Sequence, residues 1–524
     1  MSSSVDRRWE RVQRYIADNQ IAAAKATLES IVAHAPYRTD ARMLLASVIM
    51  SEGHVREAAH HAMEAARLAS QNAEAVSATA HCLLRLGEVV AARECLSQFD
   101  ARRLRDGRLL TVLAHAQQKL GDHGAALAYM NQARAFGYDN ADFHYFRGLQ
   151  LQFNGRIEEA KAELARCLEQ GPTYGRAVLT LTRIQKQTPE SNYLDYVQTQ
   201  LSRVARGSED HAALEFAQFE ILEDLGQFAE AFAAMERANA VMYARANYDI
   251  ARDERLFDRL IERTPRESLG SHNETFEGPS PIFVVGMPRS GTTLLDRILD
   301  RHSMVISTGE RNDFPRQLRW VADRHGHDIL DDALIDHLDE LDYAELGRRY
   351  LAQTQWRARG HRFFVDKLPP NYMLVGLIHR ALPNAPILHI SRDPMDVCFS
   401  NYKAMFGDTH PYSYSIPALV SRYGSYHRLM EHWQNVLPGR VLDIPYRQLV
   451  SDPETVVRNV FAHCGLAYEP DCIQGRGNKT AVDTLSSAQV HEPIHTRSIG
   501  EWQRYAAWLQ PLRESLSPWL AESA

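Results

Sequence analysis

The stretch PIFVVGMPRSGTTLLDRILDRH, residues 281–302, has the residue types of a phosphate-binding loop. Two glycines, Gly286 and Gly291, enclose four residues between an apolar run and a helical pattern. In such a loop the backbone amides of residues 289–293 converge on an anion at a helix N-terminus. Side chains in the same stretch add further donors, namely Arg289, Ser290, Thr292 and Thr293. The sequence therefore predicts a site for a phosphorylated ligand at this loop.

The loop lacks the lysine of a nucleoside triphosphatase. That lysine follows the second glycine and reaches the β- and γ-phosphates, but here Thr292 occupies its position. Because an arginine lies inside the loop instead, a shorter phosphorylated arm suits it better than a magnesium-bound triphosphate. A phosphoryl-transfer enzyme stays an alternative, since Asp366 at the end of RFFVD could bind magnesium as the acidic strand ends of such enzymes do.

A second motif lies further along the chain, in ILHISRDPMDVCFSNY. Arg392 stands at the end of an apolar run and Ser400 follows eight residues later. Pro394 suits the first turn of a helix, so Ser400 is predicted two turns along it. Together with PRSGTTLL after a strand, this pair resembles the donor-binding motifs of sulfotransferases, which use 3′-phosphoadenosine 5′-phosphosulfate. The resemblance implies a 5′-phosphosulfate loop at residues 286–293, with Arg392 and Ser400 on the 3′-phosphate.

The resemblance also implies an in-line transfer of a sulfuryl group from a phosphate leaving group to an acceptor hydroxyl. Negative charge then builds on the bridging oxygen, so cationic donors must be fixed there. Arg289 is one candidate, and Lys367 in VDKLPPN, at the end of a strand, is the other. No metal is required in this scheme, because amides and cations neutralise the charge.

The acceptor hydroxyl must lose its proton to a positioned base, for which Glu310 in STGERNDFPR is the candidate. Glu310 follows Arg289 by 21 residues, and the segment is similar to tyrosylprotein sulfotransferases, in which a glutamate at that offset is the proposed base. Cytosolic small-molecule sulfotransferases use a histidine in a Lys-Thr-His segment, whereas the comparable place here reads DKLPPN. A plainer interpretation of Glu310 is a helix-capping or surface carboxylate.

The stretch TLSSAQVHEPIHTRSIGEWQRY resembles the family's C-terminal donor-binding segment. The resemblance implies donor phosphate contacts for Ser486 and Arg497. It also places Tyr446, in IPYRQLV, where related enzymes have an aromatic residue near the adenine. His491 and His495 are four residues apart, but a proline lies between them and no third ligand is evident. No metal site is therefore predicted.

These residues need a sheet to position them. Four apolar runs, residues 282–286, 362–366, 386–391 and the weaker 440–445, predict buried strands separated by helices. Long helical crossovers between strands indicate a parallel sheet with helices on both faces. Ligands of such sheets bind at the carboxyl ends of the strands, where the loop after the first run lies. With the resemblance, residues 281–524 are predicted as an α/β, P-loop-like sulfotransferase domain.

The N-terminal half repeats with a period of 34 residues. The repeated glycines are Gly53, Gly87, Gly121 and Gly155, and each is followed five residues later by an alanine, Ala58, Ala92, Ala126 and Ala160. Asn19 with Ala24 extends this register backward, and Gly226 with Ala231 forms a further unit out of phase. Each unit predicts two helices joined by a tight turn, and the pairs stack because one pair cannot bury its apolar face alone.

The pattern resembles the tetratricopeptide repeat. It implies an all-α superhelix over residues 1–262 with a groove that holds a peptide or protein segment. Residues 263–280, rich in glycine, proline, serine and charge, are predicted as a linker.

Bulk composition excludes several other classes. The 524-residue chain has a net charge of −7, so no global basic footprint points to nucleic acid. No window of about 18 apolar residues occurs, so no membrane span is predicted, and the N-terminus lacks the apolar stretch of a secretory signal. Six scattered cysteines without a CxxC pair suit reduced cytosolic thiols. A cytoplasmic enzyme is expected, and the arrangement looks like bacterial proteins that join such repeats to a sulfotransferase domain.

The sequence leaves the acceptor open. The position of the glutamate and a repeat domain of a peptide-binding type favour a hydroxyl on a peptide or protein, with tyrosine as the leading case. The repeat groove could hold that acceptor. A glycan or small-molecule hydroxyl would use the same machinery. A non-catalytic repeat scaffold is a further alternative, against which the complete set of site residues counts. Related enzymes dimerise, so the resemblance also suggests a homodimer.

Overall fold

A computed structural model of the chain describes residues 4–69, 72–270, 276–474 and 494–520. The helices of the N-terminal half are α1 (Ser4–Ala17), α2 (Ile21–His34), α3 (Thr39–Ser51), α4 (Val55–Leu68), α5 (Ala73–Arg85), α6 (Val89–Ser97), α7 (Gly107–Leu120), α8 (His123–Ala135), α9 (Ala141–Phe153), α10 (Ile157–Gln170), α11 (Gly175–Ile184), α12 (Leu194–Leu201), α13 (Glu209–Asp224), α14 (Phe228–Ala246) and α15 (Ile250–Arg263).

The C-terminal half mixes strands and helices. Its elements are β1 (Ser280–Val285), α16 (Thr292–Arg301), β2 (Val305–Ser307), α17 (Asp313–Ala322), α18 (Asp332–Ile335), α19 (Tyr343–Thr354), β3 (Phe363–Lys367), α20 (Val375–Ala381), β4 (Ile387–Ser391), α21 (Pro394–Tyr402), α22 (Ile416–Val436), β5 (Val441–Pro445), α23 (Tyr446–Ser451), α24 (Pro453–His463), α25 (Asp471–Gln474), α26 (Gln510–Ser515) and α27 (Ser517–Leu520). Short 3₁₀ helices occupy Ala101–Arg103, Arg266–Leu269, Leu338–Glu340, Gln355–Ala358, Pro369–Leu374, Pro411–Tyr414 and Glu501–Tyr505.

The chain forms two compact units, and each contains residues from both halves of the sequence. The first unit comprises Met1–Tyr138, His272–Glu277 and Arg311–Arg357, and the second comprises Asp139–Ser271, Gly278–Glu310 and Ala358–Ala524. The first unit therefore holds α1–α8 with α17–α19. The second holds α9–α16, all five strands and α20–α27.

The repeats are confirmed as a series of helix pairs. The glycines that join the two helices of a pair are Gly53, Gly87 and Gly121 in the first unit and Gly155 and Gly226 in the second, with φ angles of +101°, +81°, +87°, +74° and +75°. These angles lie in the left-handed region, which glycine adopts without a steric penalty. The alanine five residues after each glycine is fully buried in every case. Small buried side chains let the two helices of each pair approach closely.

In the first unit, the turns of the repeats contact residues 311–357 of the same chain, which we call the inserted segment. Three hydrogen bonds join them, in which Gln317, His325 and Arg357 donate to the carbonyls of Gly87, Gly53 and Leu120 at 2.6, 3.0 and 2.5 Å, respectively. Leu120 immediately precedes the turn glycine of its repeat. Three successive turns, 34 residues apart in sequence, therefore hold the inserted segment through their carbonyl groups.

A buried carboxylate reinforces this contact. Glu88 is 4% exposed and lies next to one of the turn glycines. It accepts hydrogen bonds from Arg349 at 2.7 Å and from Gln353 at 3.0 Å, both on α19. Its position joins the repeat helix α6 to α19 inside the first unit.

Replacing Glu88 by alanine is expected to lower the free energy of unfolding by about 3 to 5 kcal/mol, because Arg349, whose side chain is only 17% exposed, would be left without its carboxylate. Urea denaturation followed by circular dichroism measures this loss. Glu74→Ala is the matched control, since Glu74 pairs with Arg108 at 2.8 Å but both side chains are more than half exposed. That control should cost less than about 1 kcal/mol. Equal losses in the two variants would contradict a structural role for the buried pair.

A five-stranded parallel sheet, in the order β2-β3-β1-β4-β5, forms the centre of the second unit. The four predicted strands are confirmed as β1, β3, β4 and β5. Residues 282–285 of the central strand are fully buried on both faces, as in parallel sheets covered by helices. The strand β2 was not predicted, because three residues are too few to show a periodic pattern. The predicted fold class, helical repeats followed by an α/β domain with a parallel sheet, is confirmed.

Two further predictions concern membrane-spanning helices and thiols. Within the described ranges, no helix combines the length and the apolar character that crossing a bilayer requires. All six cysteines are buried. Burial raises the pKa of Cys82 and of Cys95 to about 11, so both thiols stay protonated at neutral pH.

Candidate active site

The parallel sheet brings the predicted site residues to one edge. The loop 286–291 follows β1, and Glu310 comes three residues after β2. Lys367 is the last residue of β3, while Arg392 and Tyr446 immediately follow β4 and β5. Because all five strands run parallel, their carboxyl ends share this edge, where such sheets bind their ligands.

The loop between β1 and α16 has a backbone that only glycine can supply at two positions. Gly286 and Gly291 have φ angles of +152° and +114°. A Cβ atom on Gly291 would lie 2.4 Å from the ring of Tyr446, and one on Gly286 would lie 2.7 Å from the carbonyl oxygen of Ile390. Arg289, between them, also has a positive φ of +67°. The chain therefore turns sharply while neighbouring groups pack directly against it.

This loop presents hydrogen-bond donors to its interior. Ser290 is 1% exposed, and its Oγ has no hydrogen-bond partner among the described residues. Thr292 is also buried and begins α16, with Thr293 next to it. The first N–H groups of a helix have no acceptor within the helix. Together these groups form a cradle that an anion can fill.

Arg289, Ser400 and Arg392 lie together beside the cradle. The Arg289 Nε donates to Ser400 Oγ at 3.3 Å, and Arg392 donates to the backbone carbonyl of Arg289 at 3.0 Å. The Nε of Arg392 is buried and has no partner among the described residues. Burial lowers the pKa of Arg289 to about 10, and the positive charge of Arg392 acts in the same direction. At neutral pH the Arg289 guanidinium therefore remains cationic.

Repeat helices of the same unit also carry charges close to Arg289. Arg183 on α11 lowers the pKa of Arg289, and Glu220 on α13 opposes that effect. The two repeat residues pair with each other at 3.0 Å. Neither residue was predicted, because the repeats and the C-terminal half were expected to form separate domains.

Tyr446 joins the loop to the C-terminal part of the chain. Its ring packs on Gly291 and lies 4.8 Å from the guanidinium of Arg392. Its hydroxyl hydrogen-bonds the hydroxyl of Ser498 at 2.7 Å, and Arg392 donates to the carbonyl of Ser498 at 2.5 Å. Ser498 was not predicted. The nearest signal was its neighbour Arg497, in the predicted donor-binding segment. Arg497 is exposed.

Two residues considered from the sequence, Ser486 and His491, lie outside the described residues. Among the residues that the structure describes, no group of three or more histidine, cysteine, aspartate or glutamate side chains is placed to hold a metal ion.

Lys367 and Glu310 form a close ion pair. The Lys367 side chain is fully buried, and its Nζ donates to Glu310 Oε1 at 2.5 Å. The Glu310 side chain is 37% exposed, so it remains partly open to solvent. The pair therefore fixes the Glu310 carboxylate at the rim of the site, with the Lys367 ammonium group buried beneath it.

Asp296 on α16 belongs to the same group of charges and was not predicted. It is 5% exposed, and its Oδ1 has no hydrogen-bond partner among the described residues. Burial raises the pKa of Asp296 to about 7, while the positive charge of Lys367 opposes the rise. Glu310 adds to the rise, which shows that the three ionisable groups interact. The missed signal was a carboxylate within the apolar pattern of α16.

Replacing Asp296 by asparagine is expected to change the pH dependence of stability. The Asp296 carboxyl has an ordinary pKa of 3.8 and a folded-state pKa of about 7. Its contribution to folding is therefore fully present below pH 3.8 and is lost as the pH rises through 7. Between pH about 4 and about 8, the free energy of unfolding of the variant should rise relative to wild type by on the order of 2 to 4 kcal/mol. Urea denaturation at a series of pH values measures this, and a pH-independent difference would contradict it.

Comparison with known protein families adds an independent finding. Residues 281–470 match the model described as "Sulfotransferase family". Residues 107–133, which span α7 and most of α8, match the model described as "Tetratricopeptide repeat". The first match includes the loop 286–291, Glu310, Lys367, Arg392 and Tyr446.

Two relatives and one solved structure are similar to parts of this chain. A protein of Aquifex aeolicus (strain VF5), described as uncharacterized, is 30% identical over 373 residues, which are 69% of this chain and 48% of that protein. A Caenorhabditis briggsae protein named "Putative protein-tyrosine sulfotransferase" is 24% identical over 237 residues, 42% of this chain and 80% of that protein. The sulfotransferase domain of the Synechococcus PCC 7002 olefin synthase has 19% identity and a TM-score of 0.32, over 45% of this chain and 91% of that domain. The chain thus spans about half the length of the Aquifex relative.

Proposed function

We propose that this chain, which joins tetratricopeptide repeats to a sulfotransferase-family domain, transfers a sulfuryl group from 3′-phosphoadenosine 5′-phosphosulfate to an acceptor hydroxyl. The observation that carries the proposal is the pairing of two anion-binding groups at one sheet edge. The loop 286–291 is the first, and Arg392 with Ser400 is the second, joined to the loop by the contact of Ser400 with Arg289 at 3.3 Å. A nucleotide phosphorylated at both its 5′ and 3′ positions needs two such groups, whereas a nucleoside triphosphate needs only the first.

The chemistry of the two groups fits this donor. The residues proposed to bind it are Arg289, Ser290, Gly291, Thr292, Thr293, Arg392, Ser400, Tyr446, Ser486 and Arg497. Ser290 Oγ and Arg392 Nε are buried donors without partners among the described residues, and such groups are costly unless a ligand accepts from them. The loop would hold the 5′ end, Arg392 and Ser400 the 3′-phosphate, and Tyr446 the neighbourhood of the adenine. When bound, the donor supplies a sulfuryl group attached to a phosphate leaving group.

Three charged residues would carry out the chemical step. Arg289 and Lys367 hold positive charge where negative charge develops during transfer, which is the largest electrostatic contribution such a site can make. Glu310 is proposed as the base that takes the proton of the acceptor hydroxyl. Lys367, at 2.5 Å, orients the Glu310 carboxylate. The exposed side of Glu310 leaves room for an acceptor to approach.

A tyrosine of a protein or peptide is the acceptor that we propose. The similarity to the Caenorhabditis briggsae relative and the position of Glu310 support it. Helical repeats also bind peptide segments in the proteins they resemble, so a partner segment held by the repeats is part of the proposal. A glycan or small-molecule hydroxyl is the second candidate acceptor, since the same base and cations would serve it. Transfer of labelled sulfate to tyrosine peptides, but not to matched phenylalanine peptides or glycans, would separate the two. The cytoplasmic location and the homodimer remain predictions.

The proposed donor can be tested by calorimetric titration. Wild-type protein is titrated with 3′-phosphoadenosine 5′-phosphate, the desulfated donor, and separately with ATP and magnesium. We expect the first ligand to bind at least about tenfold more tightly than the second. Gly291→Ala should weaken its binding strongly, because the new Cβ would meet the Tyr446 ring at 2.4 Å. Tight binding of ATP and magnesium alone would favour a phosphotransferase, and binding of neither would favour a scaffold.

A further inference from the structure

We propose that the C-terminal segment, residues Ser498–Tyr505, is a positioning element of the donor site and that the repeat helices α13 and α14 hold it there. Glu223 and Tyr505 are the residues to which we assign this positioning role. The inference rests on the proposed function, because it concerns the binding of the same nucleotide. This inference gives the repeats a role in donor binding, in addition to any role in holding a partner.

One end of the C-terminal segment lies against the donor site. Ser498 contacts Arg392 through its carbonyl at 2.5 Å and Tyr446 through its hydroxyl at 2.7 Å. Two residues later, the backbone N–H of Gly500 donates to both carboxylate oxygens of Asp396, at 2.9 and 3.1 Å. Asp396 lies on α21, the helix that also carries Ser400. The segment thus touches the groups proposed for the 3′-phosphate and for the adenine.

The other end of the C-terminal segment is buried among the repeat helices. Tyr505 is fully buried, and its hydroxyl donates to Glu223 of α13 at 3.0 Å. Its ring lies 6.4, 5.4 and 6.2 Å from the rings of Phe219, Phe228 and Phe232, respectively. These three phenylalanines belong to α13 and α14. An aromatic anchor with its hydroxyl satisfied fixes both the depth and the rotation of the segment.

A shared lysine ties the two ends together. Lys403 follows the last residue of α21 and is 15% exposed in its side chain. Its Nζ lies 2.8 Å from Glu501 of the C-terminal segment and 3.3 Å from Glu223 of the repeat helix. Removing one carboxylate from such a group leaves the remaining charges poorly compensated. Glu223 is therefore the point at which the repeat helices hold both the donor-site helix and the segment.

Holding the segment in place before the nucleotide arrives affects affinity. Arg392 donates to two backbone carbonyls, those of Arg289 and Ser498, so its orientation depends on the position of the segment. If the segment had to become ordered on binding, its loss of conformational freedom would lower the affinity. Loosening the repeat anchor should therefore weaken nucleotide binding although neither Glu223 nor Tyr505 contacts Arg392.

The test compares nucleotide affinity in variants of the full chain. Glu223→Gln should weaken the binding of 3′-phosphoadenosine 5′-phosphate by about tenfold, and Tyr505→Phe, which keeps the ring, by about threefold. Amide hydrogen exchange over residues 498–505, measured without nucleotide, should be faster in both variants than in wild type. The Tyr505→Phe variant decides the question if Glu223→Gln does not fold.

Asp253→Asn is the matched control. Asp253 pairs with Arg422 at 2.6 Å in the same unit, with a side chain 12% exposed, but it does not join the C-terminal segment. This control should keep nucleotide affinity within about twofold of wild type even where its unfolding midpoint falls. Unchanged affinity in Glu223→Gln and Tyr505→Phe, with wild type binding normally, would overturn this inference alone. Absence of nucleotide binding to wild type would instead overturn the proposed function.

Discussion

Replacing Glu310 by glutamine is expected to lower kcat by about 10²- to 10⁴-fold, the usual contribution of a general base. Glutamine keeps the shape of the side chain and can still accept a hydrogen bond from Lys367, but it cannot take up a proton. Donor affinity should stay within about threefold of wild type, because Glu310 is not among the residues proposed to bind the nucleotide. Transfer of labelled sulfate to the acceptor, at saturating donor, measures kcat.

A matched control separates loss of the base from a general effect of removing a glutamate. Glu454 lies on α24, pairs with Arg458 at 2.6 Å, and has a side chain 61% exposed. Glu454→Gln should leave kcat unchanged. If Glu310→Gln also left kcat unchanged, Glu310 would be a surface carboxylate and the base would have to be sought elsewhere, while the donor assignment would stand.

Arg392→Ala is expected to weaken the binding of 3′-phosphoadenosine 5′-phosphate by about 10- to 100-fold, since a hydrogen bond to a charged group contributes about 1.5 to 3 kcal/mol. Arg392 lies next to the loop through its contact with the Arg289 carbonyl at 3.0 Å. If it holds the 3′-phosphate, the loss should disappear for adenosine 5′-phosphate, which lacks that group. Calorimetric titration of both nucleotides, with wild type and variant, measures the difference.

Two additional variants sharpen the interpretation of that experiment. Arg447, one residue after Tyr446, is exposed and lies on α23, so Arg447→Ala should leave both affinities unchanged. Arg392→Lys keeps the charge but not the planar guanidinium that can bind a phosphate through two hydrogen bonds, so an intermediate affinity is expected. An equal loss for both nucleotides in Arg392→Ala would mean that Arg392 acts by holding Ser498 and not by contacting the 3′-phosphate.

Features that depend on local sequence were predictable. The turn glycines repeat every 34 residues because each turn needs the same left-handed backbone, and the structure has that backbone at every one. The four longer strands were recognisable as apolar runs. General rules for parallel sheets also placed the loop 286–291, the end of β3 and the residue after β4 at one edge. For that reason the contact between Arg289 and Ser400, which are 111 residues apart, agrees with the expected arrangement.

Features that depend on packing between distant segments were not predictable. Ser498 meets Arg392 only because the C-terminal segment folds back, and no spacing rule connects the two positions. Asp296 is an ordinary helix residue in sequence, and its raised pKa follows from burial in the folded protein. Glu223 is one carboxylate among many on the repeat helices, and only the structure brings it to Lys403. The pairing of the inserted segment with the repeat turns likewise has no local signal.

The hydrogen bonds between the repeat turns and the inserted segment have a practical consequence for anyone who wishes to isolate the C-terminal half. The family match covers residues 281–470 and so contains the inserted segment, but not the repeats that accept its hydrogen bonds. A protein truncated to that range would lose the acceptors of Gln317 and Arg357 and the carboxylate that holds Arg349. It would also lack Ser498–Tyr505. Such a fragment should aggregate or be degraded, so expression and screening should begin with the whole chain.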